Sequence, residues 1–341
     1  MKQRNLLLLI LSITFMTSMN AQNPDYLFMV EQAVKAPSGH NTQPWLFQLN
    51  EGDIQILPNL HKSLPAVDPH HRELFMSLGC AAENLCIAAS QKGYKTKVDI
   101  SGNGIITVAL TKDESVEPDP LFNQISARQT NRSVYNGQSI PPGTINLLKS
   151  MSGISAIKTH FYENGTEQFD SITNYIVKGN IQQMRDKAFK DELKSWMRYN
   201  KKHQDETNDG LSYAVFGAPN LPRFIVKPIM SEALNDKRQN KGDLKKIASS
   251  SHFVLFTLTS NTPEEWIRLG MFMERFLLKL TEQGIVYGFM NQPNEVAELS
   301  IKMVQALHIP NECPQIILRI GYGERMPYSK RKDISDVILN K

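Results

Sequence analysis

The sequence lacks the signatures of several common enzyme classes. Its 341 residues include only three cysteines, Cys80, Cys86 and Cys313, and no Cys-x-x-Cys pair. An odd number at these spacings does not form a disulfide framework, and it argues against zinc ribbons and thioredoxin-like redox chemistry. Cys80 and Cys86 lie six residues apart in an apolar helical run. Their side chains point to different faces of a helix, so we expect buried, unpaired thiols.

Nucleotide and metal motifs are also missing. No Gly-x-x-x-x-Gly-Lys-Ser/Thr sequence is present, which excludes a P-loop ATPase. Gly321-x-Gly323 is followed by Met326 at the place where a dinucleotide fingerprint needs its third glycine. His70 and His71 are adjacent, so their side chains diverge, and no second cluster has metal-ligand spacing. We therefore predict no metal site.

Concentrated charge is absent too. The net charge is +4, and Lys2 and Arg4 supply two of these charges. They precede an apolar run, Leu6–Met16, and small or polar residues up to Ala21, which is the layout of a secretory signal peptide. We predict cleavage after residue 21, export to the periplasm and no membrane contact afterwards; a retained N-terminal anchor is the alternative. The remaining chain carries +2 with only short basic clusters, so we expect no nucleic-acid partner.

An internal repeat is present in a chain long enough for two domains. Its first copy consists of Leu78-Gly79, Glu83, an apolar stretch and Gly93. Its second copy consists of Leu269-Gly270, Glu274, an apolar stretch and Gly284. Both copies have apolar residues at helical spacing and end at a glycine suited to a helix C-cap. We predict one long, largely buried helix in each of two related halves.

Strand-like runs at Ile105–Leu110, His252–Thr259 and Gln315–Ile320 accompany these helices and predict an α+β fold. The acidic, proline-containing segment Asp113–Pro120 resembles a linker, so we place the halves at residues 22–120 and 121–341. Residues 188–249 are rich in charge, glycine and proline. We predict that they form an insertion, which we call the inserted segment, and that it acts as a lid.

The most specific motif is Pro37-Ser38-Gly39-His40-Asn41-Thr42-Gln43-Pro44-Trp45, here called the Pro-Ser loop. It follows a predicted amphipathic helix, Tyr26–Lys35, and its prolines stiffen the turn. Asn41 and Gln43 each carry an amide that can donate and accept hydrogen bonds, which suits a flat ring with a polar edge. A rigid structural loop around a buried tryptophan is the alternative.

Cationic segments form a second group of motifs. Arg128, Thr130 and Arg132 alternate in the sequence Arg-Gln-Thr-Asn-Arg, here called the arginine segment, and an extended chain would turn all three to one side. Two guanidiniums and a hydroxyl on one side suit a phosphate, although a solvated linker has the same composition. The basic run Ser329–Lys332 could complete such a site or be a surface cluster. The turn Gly284–Pro293 could present backbone N–H groups to a ligand.

Together these motifs resemble the FMN-dependent nitroreductases, and most closely the Acg-type flavoproteins, in which two nitroreductase halves are fused in one chain. The resemblance covers nearly all of the chain after residue 21. In ordinary nitroreductases one subunit supplies an arginine segment and the other a Pro-Ser loop; here each half keeps one part. The resemblance therefore implies a pseudo-dimer with one FMN site.

The resemblance also assigns roles to particular residues. The implied cofactor-binding residues are Pro37, Ser38, Asn41 and Gln43 along the ring or ribityl chain, Arg128, Thr130 and Arg132 at the phosphate with Lys330 and Arg331 beside them, and Asn291 and Gln292 near flavin N5. The last two replace an acidic residue and a glycine of the family pattern. No protein acid or base is assigned, because the flavin carries the chemistry.

Three functions remain open from sequence. The first is an oxidoreductase that passes electrons through FMN from an unknown donor to an electron-poor small molecule, such as a nitro compound or quinone. The second is a flavin storage protein with the inserted segment closed over the ring. The third is an interaction protein on a scaffold that has lost the cofactor, which the Asn291-Gln292 replacement invites. Fusion of the halves allows a monomer or a homodimer.

Overall fold

The computed structural model describes residues 23–151 and 156–339, so the predicted signal peptide lies outside the described residues. Within these ranges the chain forms eleven α-helices and ten β-strands. The helices are α1 Pro24–Ala33, α2 Arg72–Ser90, α3 Phe122–Ile125, α4 Pro142–Lys149, α5 Glu167–Arg185, α6 Lys187–Trp196, α7 Lys201–Thr207, α8 Arg223–Ala233, α9 Asp236–Ala248, α10 Pro263–Glu282 and α11 Ala297–Ala306. The strands are β1 Trp45–Leu49, β2 Asp53–Pro58, β3 Tyr94–Ile100, β4 Ile106–Lys112, β5 Ile157–Glu163, β6 Met197–Arg198, β7 Leu211–Ser212, β8 His252–Leu258, β9 Val286–Phe289 and β10 Cys313–Gly321.

Two four-stranded sheets form the framework of this α+β fold. The first has the order β1-β2-β4-β3 and the second β5-β8-β10-β9, and all neighbouring strands in both are antiparallel. In β3 buried or half-buried residues alternate with exposed ones, so one face of this strand meets water. Every residue of β8 is buried, because helices or neighbouring strands cover both of its faces.

The two long helices, α2 and α10, cross at a pair of glycines. A Cβ atom on Gly79 would lie 2.0 Å from the carbonyl oxygen of Ile267, and one on Gly270 would lie 2.1 Å from that of Met76. Only glycine permits this approach of the two backbones. One main hydrophobic core unites α2, α10 and side chains of both sheets.

Several predicted elements are confirmed. Both repeat segments are buried helices, and the glycines after them, Gly93 and Gly284, have φ of 66° and 67°. Helix α1 begins two residues before the predicted start, and β4, β8 and β10 match the predicted strands to within two residues at each end. The three thiols are free, with Cys80 buried and the other two half-buried. Strands β2, β3, β5, β6 and β7 were not predicted, and β9 lies within residues 284–293, for which the sequence predicted a turn.

Residues 188–249 fold into most of α6, all of α7 to α9 and a small parallel sheet of β6 and β7. The C-terminal segment then returns to the first sheet: the Phe47 amide donates to the Val337 carbonyl at 2.8 Å, and Leu339 donates to Phe47 at 2.8 Å. The described helices include none with the length and apolarity needed to cross a bilayer. Nor do the described residues bring together three side chains suited to a metal ion.

Candidate functional site

A cavity of about 720 Å³ lies between the Pro-Ser loop, the arginine segment, α2, the turn after β9 and the inserted segment. This volume falls in the range of small-molecule sites, roughly 300–1,000 Å³. Nine of the eleven predicted site residues line it: Pro37, Ser38, Asn41, Arg128, Thr130, Arg132, Asn291, Gln292 and Arg331. The two halves of the sequence pattern therefore meet around one space.

The Pro-Ser loop has an unusual backbone. His40, Asn41 and Gln43 have φ of 49°, 56° and 53°, the left-handed region that non-glycine residues rarely adopt. The Ser38 hydroxyl accepts a hydrogen bond from the backbone N–H of Gln43 at 3.0 Å and closes the turn. Three such residues within four positions form a costly conformation that the surrounding structure must hold, and such conformations concentrate at functional sites.

The amides of this loop hold it in place. The Asn41 side chain donates to the carbonyl oxygens of Gly210 and Lys330, both at 3.1 Å, and the Gln43 side chain donates to that of Asn208 at 2.8 Å. The Gln43 amide oxygen accepts from the Lys332 backbone N–H at 2.8 Å. The sequence predicted these amides as contacts of a flat ring. The structure instead pairs them with the inserted segment and the C-terminal run, and Gln43 does not line the cavity.

Arg128 is the most constrained cation of the site. It is 4% exposed and lies 3.1 Å from the buried carboxylate of Glu274, while it donates to the Tyr287 hydroxyl at 2.7 Å and to the Lys35 carbonyl at 2.6 Å. Burial alone would lower the pKa of Arg128, but Glu274 and Tyr287 outweigh it and the pKa is raised. Arg128 is therefore a buried, charge-balanced residue rather than a free cation.

Arg132 and Arg331 differ from Arg128, because no carboxylate of the described residues lies within 4.0 Å of either guanidinium. Burial is the main cause that lowers the pKa of both to about 10, and the positive charges of Arg319 and Arg128, respectively, act in the same direction. Arg331 donates to the Asn41 amide oxygen at 2.8 Å, and its buried Nε has no acceptor in the described chain. The cavity lining thus includes two guanidiniums that have no carboxylate partner among the described residues.

The arginine segment is placed by the edge of the second sheet. Thr130 forms a parallel bridge with Tyr287 of β9, and the Asn131 amide donates to the Tyr287 carbonyl at 2.7 Å. Arg319 of β10 donates to the carbonyls of Asn131 and Ser133, and its guanidinium lies 3.9 Å from the centre of the Tyr135 ring. The segment is extended, and its two arginines and Thr130 reach the same cavity, as the alternation predicted.

The remaining predicted residues divide. Asn291 lines the cavity, and its side-chain oxygen accepts from the Ile317 amide at 2.9 Å, which ties the turn to β10. Gln292 also lines it, and its buried amide oxygen has no partner among the described residues. Neither residue has positive φ, so Gln292 needs no glycine-like freedom. Lys330 lies outside the lining and contacts Asp205 at 3.4 Å, which corrects its predicted place beside the arginines.

Sequence reasoning missed two groups of buried acids. Glu274 was noticed as part of the repeat, but its pairing with Arg128 bridges residues far apart in sequence. Glu73 and Glu295 line the middle of the cavity; burial and the neighbouring Glu295 raise the pKa of Glu73 well above its usual value, and burial raises that of Glu295. These two carboxyls therefore hold their protons to a higher pH than ordinary glutamates do, which reduces the negative charge of the cavity lining.

No protein-family model matches the chain, but it is similar to individual known proteins. Over 94% of its length, and 94% of the relative's, the chain is 22% identical to a protein of Mycobacterium tuberculosis strain H37Rv with the provisional name NAD(P)H nitroreductase Rv3131. The chain is thus similar, along nearly its whole length, to a protein that carries a nitroreductase name.

The chain is also similar to two solved structures. The FMN-dependent nitroreductase NfnB of Mycobacterium smegmatis in complex with NADPH is 13% identical with a TM-score of 0.39, and the match covers 64% of this chain and 96% of that one. The FMN- and NADPH-dependent NfnB of Sphigopyxis sp. strain HMH is 12% identical with a TM-score of 0.43, covering 65% and 99%.

Proposed function

We propose that this protein binds FMN in the cavity and is an oxidoreductase that passes electrons from a donor to an electron-poor small molecule. The observation that carries the proposal is that two guanidiniums without a carboxylate partner, those of Arg132 and Arg331, line a partly apolar cavity. Cations withdrawn from water are normally paired, so these two guanidiniums call for an anion supplied by a ligand. The phosphate of FMN is such an anion.

The residues fit the cofactor in distinct ways. Arg132 and Arg331 would hold the phosphate by charge-assisted hydrogen bonds, and the orphaned Nε of Arg331 supplies a free donor. Arg128 keeps its ion pair with Glu274 and fixes the wall of the site. Bound FMN supplies the reversible uptake and release of electrons, and the protein binds it, orients it and excludes water.

Sequence similarity supports the redox assignment. The relative that matches nearly the whole chain is named as an NAD(P)H nitroreductase, so a nicotinamide donor is the first one to test. We further propose that residues 22–120 and 121–341 are related halves, which the matching antiparallel sheets and the paired crossing glycines support. Export after cleavage at residue 21 is part of the same proposal, and the mass of the secreted chain tests it.

The test compares FMN with riboflavin, which has the same ring and lacks the phosphate. Titrations followed by flavin absorption should give much tighter binding of FMN by the wild-type protein. The double variant Arg132→Ala plus Arg331→Ala should bind FMN at least about thirtyfold more weakly and no longer prefer it over riboflavin, because losing buried charge partners costs roughly 2–5 kcal/mol.

Arg268→Ala is the matched control, since this arginine lies on the exposed side of α10 and pairs with Glu264 at 2.8 Å. It should leave both affinities unchanged. A wild-type protein that binds neither flavin, or binds both equally, would contradict the proposal. Colourless protein after reconstitution would instead favour the interaction-protein alternative.

A storage function is the second candidate, and one observation favours it. The inserted segment is hydrogen-bonded to the Pro-Ser loop through Gly210 and Asn208, and it supplies much of the cavity wall. If this wall seals the ring, reduction by NADPH should be slow while small dithionite radicals still reduce the flavin. Rapid reduction by NADPH and rapid reoxidation by a nitro compound would reject storage.

A further inference from the structure

The inserted segment builds a distinct region of the cavity, which we call the apolar chamber. Its wall consists mainly of hydrophobic side chains, among them Phe189, Leu193, Met197, Leu211, Val215 and Met230. They belong to small hydrophobic clusters beside the cavity or line it directly, and none is part of the main core around α2 and α10. Their apolar surface therefore encloses ligand space rather than holding the two sheets together.

The chamber also differs in charge from the rest of the cavity. Among the cavity-lining residues between 188 and 249, Gln239 is the single polar side chain and none is charged. The guanidinium of Arg132 borders this wall 5.6 Å from the centre of the Phe216 ring, but the wall itself offers no charge, so a phosphate or carboxylate placed deep in the chamber would lose its hydration without gaining a charged partner from it. The chamber consequently suits an uncharged group and disfavours the diphosphate of a nicotinamide dinucleotide.

Helix α8 shows which of its side chains serve the chamber. Met230 lines the cavity, while its neighbour Ile229 is 58% exposed on the outer surface. Met197 and Met230 both belong to the wall, and unbranched methionine side chains adapt to ligands of varied shape. The same helix therefore provides a lining residue and, beside it, a matched residue that cannot touch a ligand in the chamber.

We propose that the inserted segment forms a second subsite that binds the apolar substituent of an uncharged ring compound, so that affinity rises with the length of that substituent. The inference rests on the proposed function for the identity of the ligand as an electron acceptor. The subsite itself is formed by protein side chains and is present with or without FMN.

The experiment measures the dissociation constants of 4-ethyl-, 4-butyl- and 4-hexylnitrobenzene by calorimetry, with oxidised protein and no reductant. It is performed on FMN-loaded and FMN-free protein. We expect affinity to increase roughly threefold to fourfold for each added methylene, as complete burial of a methylene predicts. The anion 4-nitrobenzoate should bind FMN-loaded protein more weakly than 4-ethylnitrobenzene.

Variants locate the effect. Met230→Gln should weaken binding of the hexyl compound about tenfold and that of the ethyl compound much less, because the longer substituent covers more of the chamber. Ile229→Gln should change neither affinity, and both variants should retain wild-type FMN affinity and melting temperature. Affinities that are indifferent to chain length in both protein forms, or equal losses in the two variants, would overturn the subsite. If the protein does not bind FMN but its affinity for the nitrobenzenes still rises with chain length, the proposed function is wrong and the subsite stands.

Discussion

Helices α2 and α10 carry the same pattern, a glycine at the crossing point and a glutamate four residues later, yet the two glutamates have different surroundings. Glu83 pairs at 2.7 Å with Arg275, which is 41% exposed and also contacts Asp119. Glu274 is fully buried and pairs with Arg128, whose side chain is 2% exposed. The two helices thus build one ion pair whose arginine reaches solvent and one ion pair that is closed off from it.

The difference lies in the partner rather than in the helix. Arg275 comes from α10 itself and reaches Glu83 near the surface, whereas Arg128 comes from the arginine segment and enters the protein interior. Burial raises the pKa of both glutamates above the usual value, and that of Glu274 reaches about 7. The arginine segment therefore makes the surroundings of the two glutamates unequal, and it lines the cavity through Arg128.

The largest expected effect concerns the feature that α2 and α10 share, which is a glycine at the point where they cross. Gly270→Ala and Gly79→Ala should each destabilise the protein by more than about 3 kcal/mol, because the new Cβ would lie near 2 Å from a backbone oxygen of the other helix. Urea unfolding followed by circular dichroism gives the measurement.

Gly242→Ala is the control for these variants, since a Cβ at this position in α9 meets no atom within 4 Å. It should stabilise the protein by up to about 1 kcal/mol through helix propensity. Wild-type stability of Gly270→Ala would mean that the two helices are not in contact at this point.

An intermediate effect concerns the feature in which the two helices differ, which is the buried environment of Glu274. The unfolded chain releases the Glu274 proton near pH 4.5, whereas the folded protein keeps it to about pH 7. The raised pKa therefore contributes stability that is complete below pH 4.5 and is lost as the pH rises to 7. Glu274→Gln lacks this group, so its stability relative to wild type should improve by up to roughly 3 kcal/mol between pH 4.5 and 8.

Unfolding free energies of both proteins across this pH range provide the check, and other titrating groups cancel in the difference. Glu83→Gln should show a shift of the same sign, since the pKa of Glu83 is also raised. Parallel pH profiles for Glu274→Gln and wild type would show that Glu274 ionises in the folded protein much as in the unfolded chain.

The same contrast explains what sequence could predict. The two long buried helices could be predicted from their apolar periodicity and from the glycines that end them, whereas their crossing at Gly79 and Gly270 was not predicted. The placement of the Pro-Ser loop and arginine segment at one cavity followed from motif resemblance. These features depend on residues close together in sequence or on a pattern shared with other proteins.

Contacts between distant segments could not be predicted. The Asn41 and Gln43 amides bond to backbone carbonyls of the inserted segment, and a backbone carbonyl leaves no signal in the sequence. The Arg128–Glu274 pair joins residues that only the folded chain brings together. Strand β3, Tyr94–Ile100, was not predicted, although buried or half-buried residues alternate with exposed ones along it.

The smallest expected effect concerns the ion pair between Glu83 and the partly exposed Arg275. A double-mutant cycle with Glu83→Gln and Arg275→Met, which keeps most of the aliphatic packing of the arginine, should give a coupling energy of about 1 kcal/mol or less. Raising the salt concentration should reduce it further, because the partly exposed arginine is screened.

The matching cycle with Glu274→Gln and Arg128→Met should give a larger coupling energy that responds little to salt, since water and ions do not reach that pair. Equal couplings with equal salt dependence would mean that the two ion pairs have similar environments, and the distinction between a structural side and a binding side of the helix pair would then fail.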